Sequence, residues 1–407
     1  MKYSDTGNQR NKQILSIFMA TLLILSTLTI SLSISFDTSN SKAFGIRPPE
    51  PLVPQGLINF DKKPSTDVFN ILPGYKIEPV LWNLTLPSTI TFDDNGSMYV
   101  AESGYSYGGF HPDPRILKLD SMGNVSVVAD RQLNGPITDI EFDKKNATLY
   151  VSHRGIISSV DLTGRVKDLI VGLPSMGDHH NNQIAFGPDG RIYFGQGTVT
   201  NTGVAGEDSY AYEWLKTSPL LHDIPAQNIT LTGQNFPTVN PLTPENLHDY
   251  ATTGAYVPFN QSTFNGQTIK GDVKCSGCII SANENGTDLK VIAWGLRNPY
   301  GVAFTADGNK LLVTNNGADE RGSRPIANDF DKVYQIDLSN SSAGSPKYYG
   351  WPDYFNNSEP VNNNSKFLST SSPNDQLPKF LIKNHPPVGK PLSLLGEGVA
   401  VTQLAIS

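Results

Sequence analysis

The sequence predicts an all-β fold and, within that class, a β-propeller. Three observations carry this. A unit recurs in which an apolar strand is followed by a turn rich in Asp, Asn or Gly and then by a second apolar strand. The copies lie at residues 90–100, 140–151, 184–194 and 302–313, and the first three start roughly 45–50 residues apart, the period of a four-stranded blade. Gly, Pro, Asn, Ser and Thr are abundant while only 17% of the 407 residues are charged, which suits short strands joined by turns. No long segment carries a 3.6-residue apolar period.

Taken in order, the chain opens on Lys2, Arg10 and Lys12 and then has no charge from Ile14 to Phe36. That stretch is near the length of a membrane span, so residues 1–36 read as an export signal, with an uncleaved anchor favoured over a cleaved peptide. The basic flank stays inside and the remainder faces the extracellular or cell-surface side. Residues 37–72, Ser/Asn-rich and then Pro-rich, read as a tether, and residues 73–407 as the propeller. Third strands of the blades are expected at 115–120, 155–161 and 332–337. A polar insertion, roughly residues 203–281, separates the third copy from the fourth. Residues 401–407 repeat the first strand of the unit without the turn and second strand, from which we expect a chain lacking on the order of one to two blades at its C-terminus.

Net charge is −7 with no basic run beyond the N-terminus, which argues against a nucleic-acid partner. About ten Asn-x-Ser/Thr sequons, among them Asn83, Asn124, Asn228, Asn285 and Asn340, agree with export. The only cysteines, Cys275 and Cys278, give too few ligands for a closed zinc site, and no His follows Cys278 as haem attachment requires. In an oxidising compartment a small-loop disulfide is expected.

Two loops precede strands of the repeat and carry chemistry. Arg297 and Asn298 stand just before the fourth copy, where Pro299 stiffens the chain. A guanidinium held there suits a planar anion, although on residue type alone pinning the loop through carbonyls is the commoner role. Asp178, His179 and His180 precede the third copy. Equivalent propeller loops converge at one end of the channel, so these residues are expected around one pocket. A His beside an Asp can act as a general base. Shared metal binding by the two His and the Asp, or a plain polar turn, are the competing readings.

Four motifs in order then carry a resemblance: Asp178-His179 ahead of Gly187-Pro188-Asp189, Trp294-Gly295-Leu296-Arg297-Asn298-Pro299-Tyr300-Gly301, Asn316-Gly317-Ala318-Asp319, and Tyr349-Gly350-Trp351-Pro352. Across roughly residues 75–355 the chain resembles the glucose/sorbosone dehydrogenases, six-bladed propellers that use pyrroloquinoline quinone (PQQ). Residues 179–182 and Arg321-Gly322-Ser323-Arg324-Pro325 resemble the sorbosone branch in particular. The resemblance implies His179 as the base that takes a substrate hydroxyl proton as hydride passes to the quinone. It also implies Arg297 and Asn298 as cofactor contacts, Asp178 as a substrate contact, and the carbonyls of Gly317 and Ala318 as calcium ligands. The implied substrate is a sugar or other alcohol, with electrons passed to an external acceptor.

The chain departs from the glucose-oxidising members at Leu133, where those carry Gln, and in the insertion around Cys275, so the resemblance does not imply glucose itself. The basic residues that grip the cofactor carboxylates in that family come from late blades, which this chain is expected to lack. Two further functions suit a propeller: a non-catalytic surface-binding module, and a calcium-dependent lactonase-type hydrolase. The hydrolase needs several converging ligands, and the sequence offers no clear set.

Overall fold

The computed structural model describes residues 63–105, 111–338, 346–362, 365–370 and 378–406. The expected membrane anchor, most of the tether, the sequon at Asn340 and Ser407 lie outside the described residues. No helix among the described residues is long and apolar enough to cross a membrane.

Four antiparallel sheets form four blades of a propeller. The first is β1 (Pro87–Phe92), β2 (Met98–Glu102), β3 (Arg115–Leu119) and β4 (Val125–Asp130). The second is β5 (Ile137–Asp143), β6 (Thr148–His153), β7 (Ile156–Asp161) and β8 (Val166–Val171). Each copy of the repeat is the inner hairpin of a blade, with tight turns such as that closed by the Asp93 carboxylate on the N–H groups of Asn95 and Ser97.

The third blade begins with β9 (Asn181–Phe186) and β10 (Arg191–Gln196), and the chain then leaves the sheet. The excursion holds two short helices, Glu207–Ala211 and Trp214–Thr217. It also holds the hairpin of β11 (Ile229–Thr230) with β14 (Thr268–Ile269), and between them that of β12 (Asn235–Val239) with β13 (Tyr250–Gly254). The chain rejoins the blade at β15 (Cys278–Asn283) and β16 (Lys290–Trp294). Residues 278–281, expected in the insertion, are therefore strand. Their apolar side chains fill the blade, and nothing local to the sequence marks where an excursion returns.

The fourth blade is β17 (Asn298–Phe304), β18 (Lys310–Asn316) and β19 (Phe330–Asp337), completed by a strand from far along the chain. Between β19 and that strand lie β20 (Lys347–Tyr348), which adds in parallel to β16, and the pair β21 (Tyr354–Phe355) and β22 (Glu359–Pro360). The outer strand is β23 (Ser393–Glu397).

The core lies between blades. Tyr99, Ile116, Leu133, Ile140, Leu149 and Val160 pack where the first two blades meet, and Tyr193, Ile279, Val302, Val313 and Tyr334 between the third and fourth. Each such side chain contributes about 1.5–3 kcal/mol by leaving water. Leu133 is core, 5% exposed. β1 differs from the other inner strands: it buries Thr89 and Thr91 and turns Ile90 and Phe92 outward, 47% and 52% exposed. Residues 401–406 form no strand; they run along the channel, with the Thr402 carbonyl accepting from Thr314 Oγ1 and Gln183 Oε1 accepting the Leu404 N–H.

Candidate functional site

The inner strands of the third and fourth blades bring the two loops together. Asp178 and His179 extend the β9–β10 pairing, their N–H groups donating to Val199 and Thr198 carbonyls at 2.8 and 3.0 Å. The Thr198 N–H donates in turn to the Arg297 carbonyl at 2.9 Å. Gly197 permits this approach: a Cβ there would overlap His179 Cβ and lie 2.6 Å from Asn298 Oδ1. Arg297 Nη2 reaches Asp178 Oδ2 at 3.3 Å, so the expected convergence is present.

His179 is 8% exposed, and its Nδ1 lies 3.1 Å from the Thr198 carbonyl. A carbonyl only accepts, so Nδ1 carries the proton and Nε2 holds a lone pair, 3.8 Å from Asp178 Oδ2. Burial pushes the imidazole pKa down to about 4, with Arg297 and Arg321 reinforcing and Asp178 opposing. The ring is thus neutral near pH 7, as a general base must be. His180 turns away, its Nδ1 on the Ser175 carbonyl at 3.1 Å, and burial followed by Arg154 pushes it to about 3. Its Nε2 is buried with no hydrogen-bond partner among the described residues. The two imidazoles do not share one point in the way the metal reading requires, and no group of three His, Cys, Asp or Glu suited to a metal ion occurs among the described residues.

Arg297 is 4% exposed and combines both readings of the sequence. It pins loops through the Asn201 and Gly317 carbonyls, at 3.2 and 2.5 Å, and faces the Asp178 and Asp319 carboxylates, at 3.3 and 2.7 Å. Asn298 is held in an amide ladder, accepting from Asn182 and donating to Asn316 Oδ1, both at 2.8 Å.

Sequence reasoning did not single out Arg321 as a site residue. Its guanidinium spans Asp178 at 2.5 Å, Asp208 at 2.6 Å and Asp319 at 3.0 Å, and lies 5.5 Å over the Tyr212 ring. Asp208 and Tyr212 come from the excursion, within and at the C-terminal cap of the helix Glu207–Ala211. Burial would raise the Asp178 carboxyl, but Arg321, His179 and Arg297 outweigh it and hold the group well below the usual range. Asp208 goes the other way: burial raises it despite Arg321. The one sequence signal for Arg321 was its place in the Arg-Gly-Ser-Arg-Pro motif. Asp208 and Asn201 had none.

Guanidinium groups are the donors that PQQ, a planar anionic quinone, would need, and here they are already paired with Asp178, Asp208 and Asp319. Two guanidinium groups, one buried and one 14% exposed, stand beside a neutral imidazole. Calcium fits less well. The Gly317 carbonyl already accepts Arg297 Nη1–H, so a cation placed on it would stand against a guanidinium.

No family model matches the sequence. Over 218 residues the chain is 28% identical to quinoprotein glucose dehydrogenase B of Acinetobacter calcoaceticus, a match covering 52% of this chain and 36% of that protein's length. This similarity supports a PQQ glucose/sorbosone dehydrogenase-like family. Solved structures that overlay on the chain include the holo PQQ domain of pyranose dehydrogenase from Coprinopsis cinerea, at TM-score 0.48 and 17% identity, covering 82% of this chain and 71% of that one. The PQQ-bound aldose sugar dehydrogenase of Streptomyces coelicolor overlays at TM-score 0.38 and 15% identity, covering 69% and 68%.

Proposed function

We propose that this chain is an exported PQQ-dependent dehydrogenase that oxidises a sugar or related alcohol and passes electrons to an external acceptor. The observation that carries the reading is His179, with Nδ1–H committed to the Thr198 carbonyl and a neutral ring beside two guanidinium groups. When bound, PQQ supplies a two-electron acceptor. The chain supplies the rest: His179 Nε2 takes the hydroxyl proton, Asp178 orients the hydroxyl, and Arg297 and Arg321 hold the anionic group and stabilise charge that develops on it. Asn298 positions Arg297's neighbour strand through its amide ladder. Gly317 and Ala318 act as calcium ligands only if Arg297 releases the Gly317 carbonyl, and no step here depends on it.

A ring of six blades is part of the proposal. It is supported by the uncovered apolar face of β1, where Ile90 and Phe92 are exposed. Export is supported by the charge-free stretch 14–36 and by sequons whose Asn83, Asn124, Asn228 and Asn285 are all exposed. Protease accessibility on intact cells tests it, and a chain protected until lysis refutes it.

The decisive experiment is titration of the purified protein with PQQ, with and without calcium, following quinone absorbance and then dye reduction with a panel of sugars and alcohols. We expect saturable binding weakened in Arg297→Ala, and turnover reduced by about 10²–10⁴ in His179→Ala. Absence of saturable binding overturns the reading and leaves a non-catalytic surface propeller.

A further inference from the structure

The Cys275–Cys278 disulfide stands behind both halves of the site. Cys278 opens β15 and pairs with Gln196 of β10 and Trp294 of β16. Both cysteines are fully buried. Inside the loop they close, Gly277 adopts φ +63°, and its carbonyl accepts the Leu296 N–H at 3.0 Å, one residue before Arg297. A Cβ on Gly277 would overlap the Leu296 carbonyl and lie 2.9 Å from Thr198 Cγ2. Thr198 is the residue whose carbonyl orients His179 and whose N–H donates to Arg297.

Ser276 ties the same loop to the excursion. Its N–H donates to the Ile224 carbonyl at 2.8 Å, and its Oγ accepts the Ile224 N–H at 3.0 Å. The adjacent Asp223, 1% exposed, accepts the N–H groups of Val199 and Thr200 at 2.7 and 3.2 Å. Residues 198–200 are therefore clamped between the disulfide loop, Asp223 and Arg297.

We propose that the Cys275–Cys278 disulfide is a positioning device: by fixing the Ser276-Gly277 peptide it sets both the Thr198 carbonyl that orients His179 and the Leu296-Arg297 peptide that aims the guanidinium. A loop this short removes little freedom from the unfolded chain, so its main effect is local geometry. What it fixes is a left-handed peptide that neither Leu296 nor Thr198 leaves room to shift. The inference takes its ligand from the quinone reading, but its first readout is independent of any cofactor.

That readout is the His179 tautomer in the full-length ¹⁵N-labelled protein, from long-range imidazole ¹H–¹⁵N correlations assigned with His179→Gln. The intact protein should show the Nδ1–H form. In the double variant Cys275→Ser/Cys278→Ser we expect a mixed tautomer and PQQ affinity about tenfold weaker, with far-ultraviolet circular dichroism retained. Ser276→Ala, which keeps the disulfide and the backbone bond to the Ile224 carbonyl but removes the hydroxyl acceptor of the Ile224 N–H, should shift both in the same direction by less. An unchanged tautomer and an unchanged PQQ affinity in the double variant overturn the proposal. If that variant does not fold, the intact protein treated with a thiol reductant under folding conditions takes its place, and an unchanged tautomer once the Cys275–Cys278 bond is reduced overturns the proposal. If the intact protein binds no PQQ, the quinone reading fails while the tautomer comparison still decides this one.

Discussion

Asp178, in the loop ahead of β9, and Asp139, in β5, are two aspartates of neighbouring blades, 3% and 2% exposed, and their chemistry is opposite. Asp178 meets Arg297 and Arg321, and they hold its carboxyl ionised against the cost of burial. Asp139 meets only neutral donors: the Ile184 N–H at 2.8 Å, the Thr89 hydroxyl at 3.1 Å and the Gln403 amide at 2.6 Å. Burial pushes its pKa up to about 7, and the Ile184, Thr89 and Ile140 donors offset this only partly. Equal burial therefore decides nothing; the sign of the neighbouring charge does. The Asp178 position sets a carboxylate between two guanidinium groups, whereas the Asp139 position works as a joint between blades.

The largest effect should come from removing the charge that the guanidinium groups face. Asp178→Asn leaves Arg297 and Arg321 with Asp208 and Asp319 only, and should cost about 3 kcal/mol in denaturant unfolding at neutral pH. Because its folded pKa is lowered, the stabilisation from Asp178 is present above about pH 4 and lost as the pH falls through the folded value. A loss below 1 kcal/mol would mean that the remaining carboxylates compensate.

Asp139 reverses that sign. Its folded pKa is raised, so its contribution is complete below about pH 4 and is lost as the pH rises through about 7. Across that window the slope is at most about 1.4 kcal/mol per pH unit. Asp139→Asn should flatten the stability profile between pH 4 and 7, whereas Asp178→Asn should not. Parallel profiles for the two variants would abolish the contrast. Turnover supplies a further check on the site end. With His179 held near 4, the acid limb of the rate profile should have its midpoint close to pH 4, well below that of an ordinary imidazole. A midpoint near 6.5 would mean that His179 is not held down by burial, and an acid limb that survives in His179→Gln would mean that His179 is not the base.

The difference between the two aspartates also explains what could be read from the sequence. Inner hairpins were legible because alternation and turn residues are local properties, and His179, Asp178 and Arg297 were legible because they sit at fixed offsets from those hairpins. Arg321, Asp208, Asn201 and Thr198 were not, since each arrives from a loop whose partner lies elsewhere in the chain. β23 escaped for the same reason: a strand pattern does not name its partner, and its partner β19 precedes it by a long connection. Burial also deceived. Ile90 in β1 carries the same local pattern as Ile140 in β5, yet only Ile140 is covered, because cover is a property of the neighbouring blade.

The smallest effect tests how far neutral donors can stand in for a cation. Gln403 Nε2 bonds both Thr89 Oγ1, at 2.8 Å, and Asp139 Oδ1, at 2.6 Å, so it is the one donor to Asp139 supplied by the channel segment. Gln403→Ala should cost about 1 kcal/mol in unfolding, the usual worth of a hydrogen bond to a buried acceptor. The Thr89 hydroxyl and the Ile184 N–H remain, so the blades should stay joined. Removing a donor to the ionised form moves the Asp139 pKa further up, so the loss should grow with pH and be smallest at pH 5. A loss independent of pH between 5 and 8 would show that Gln403 acts through packing of the channel segment. It would then have no electrostatic hold on Asp139, and the remaining neutral donors would already be doing all that uncharged groups can do there.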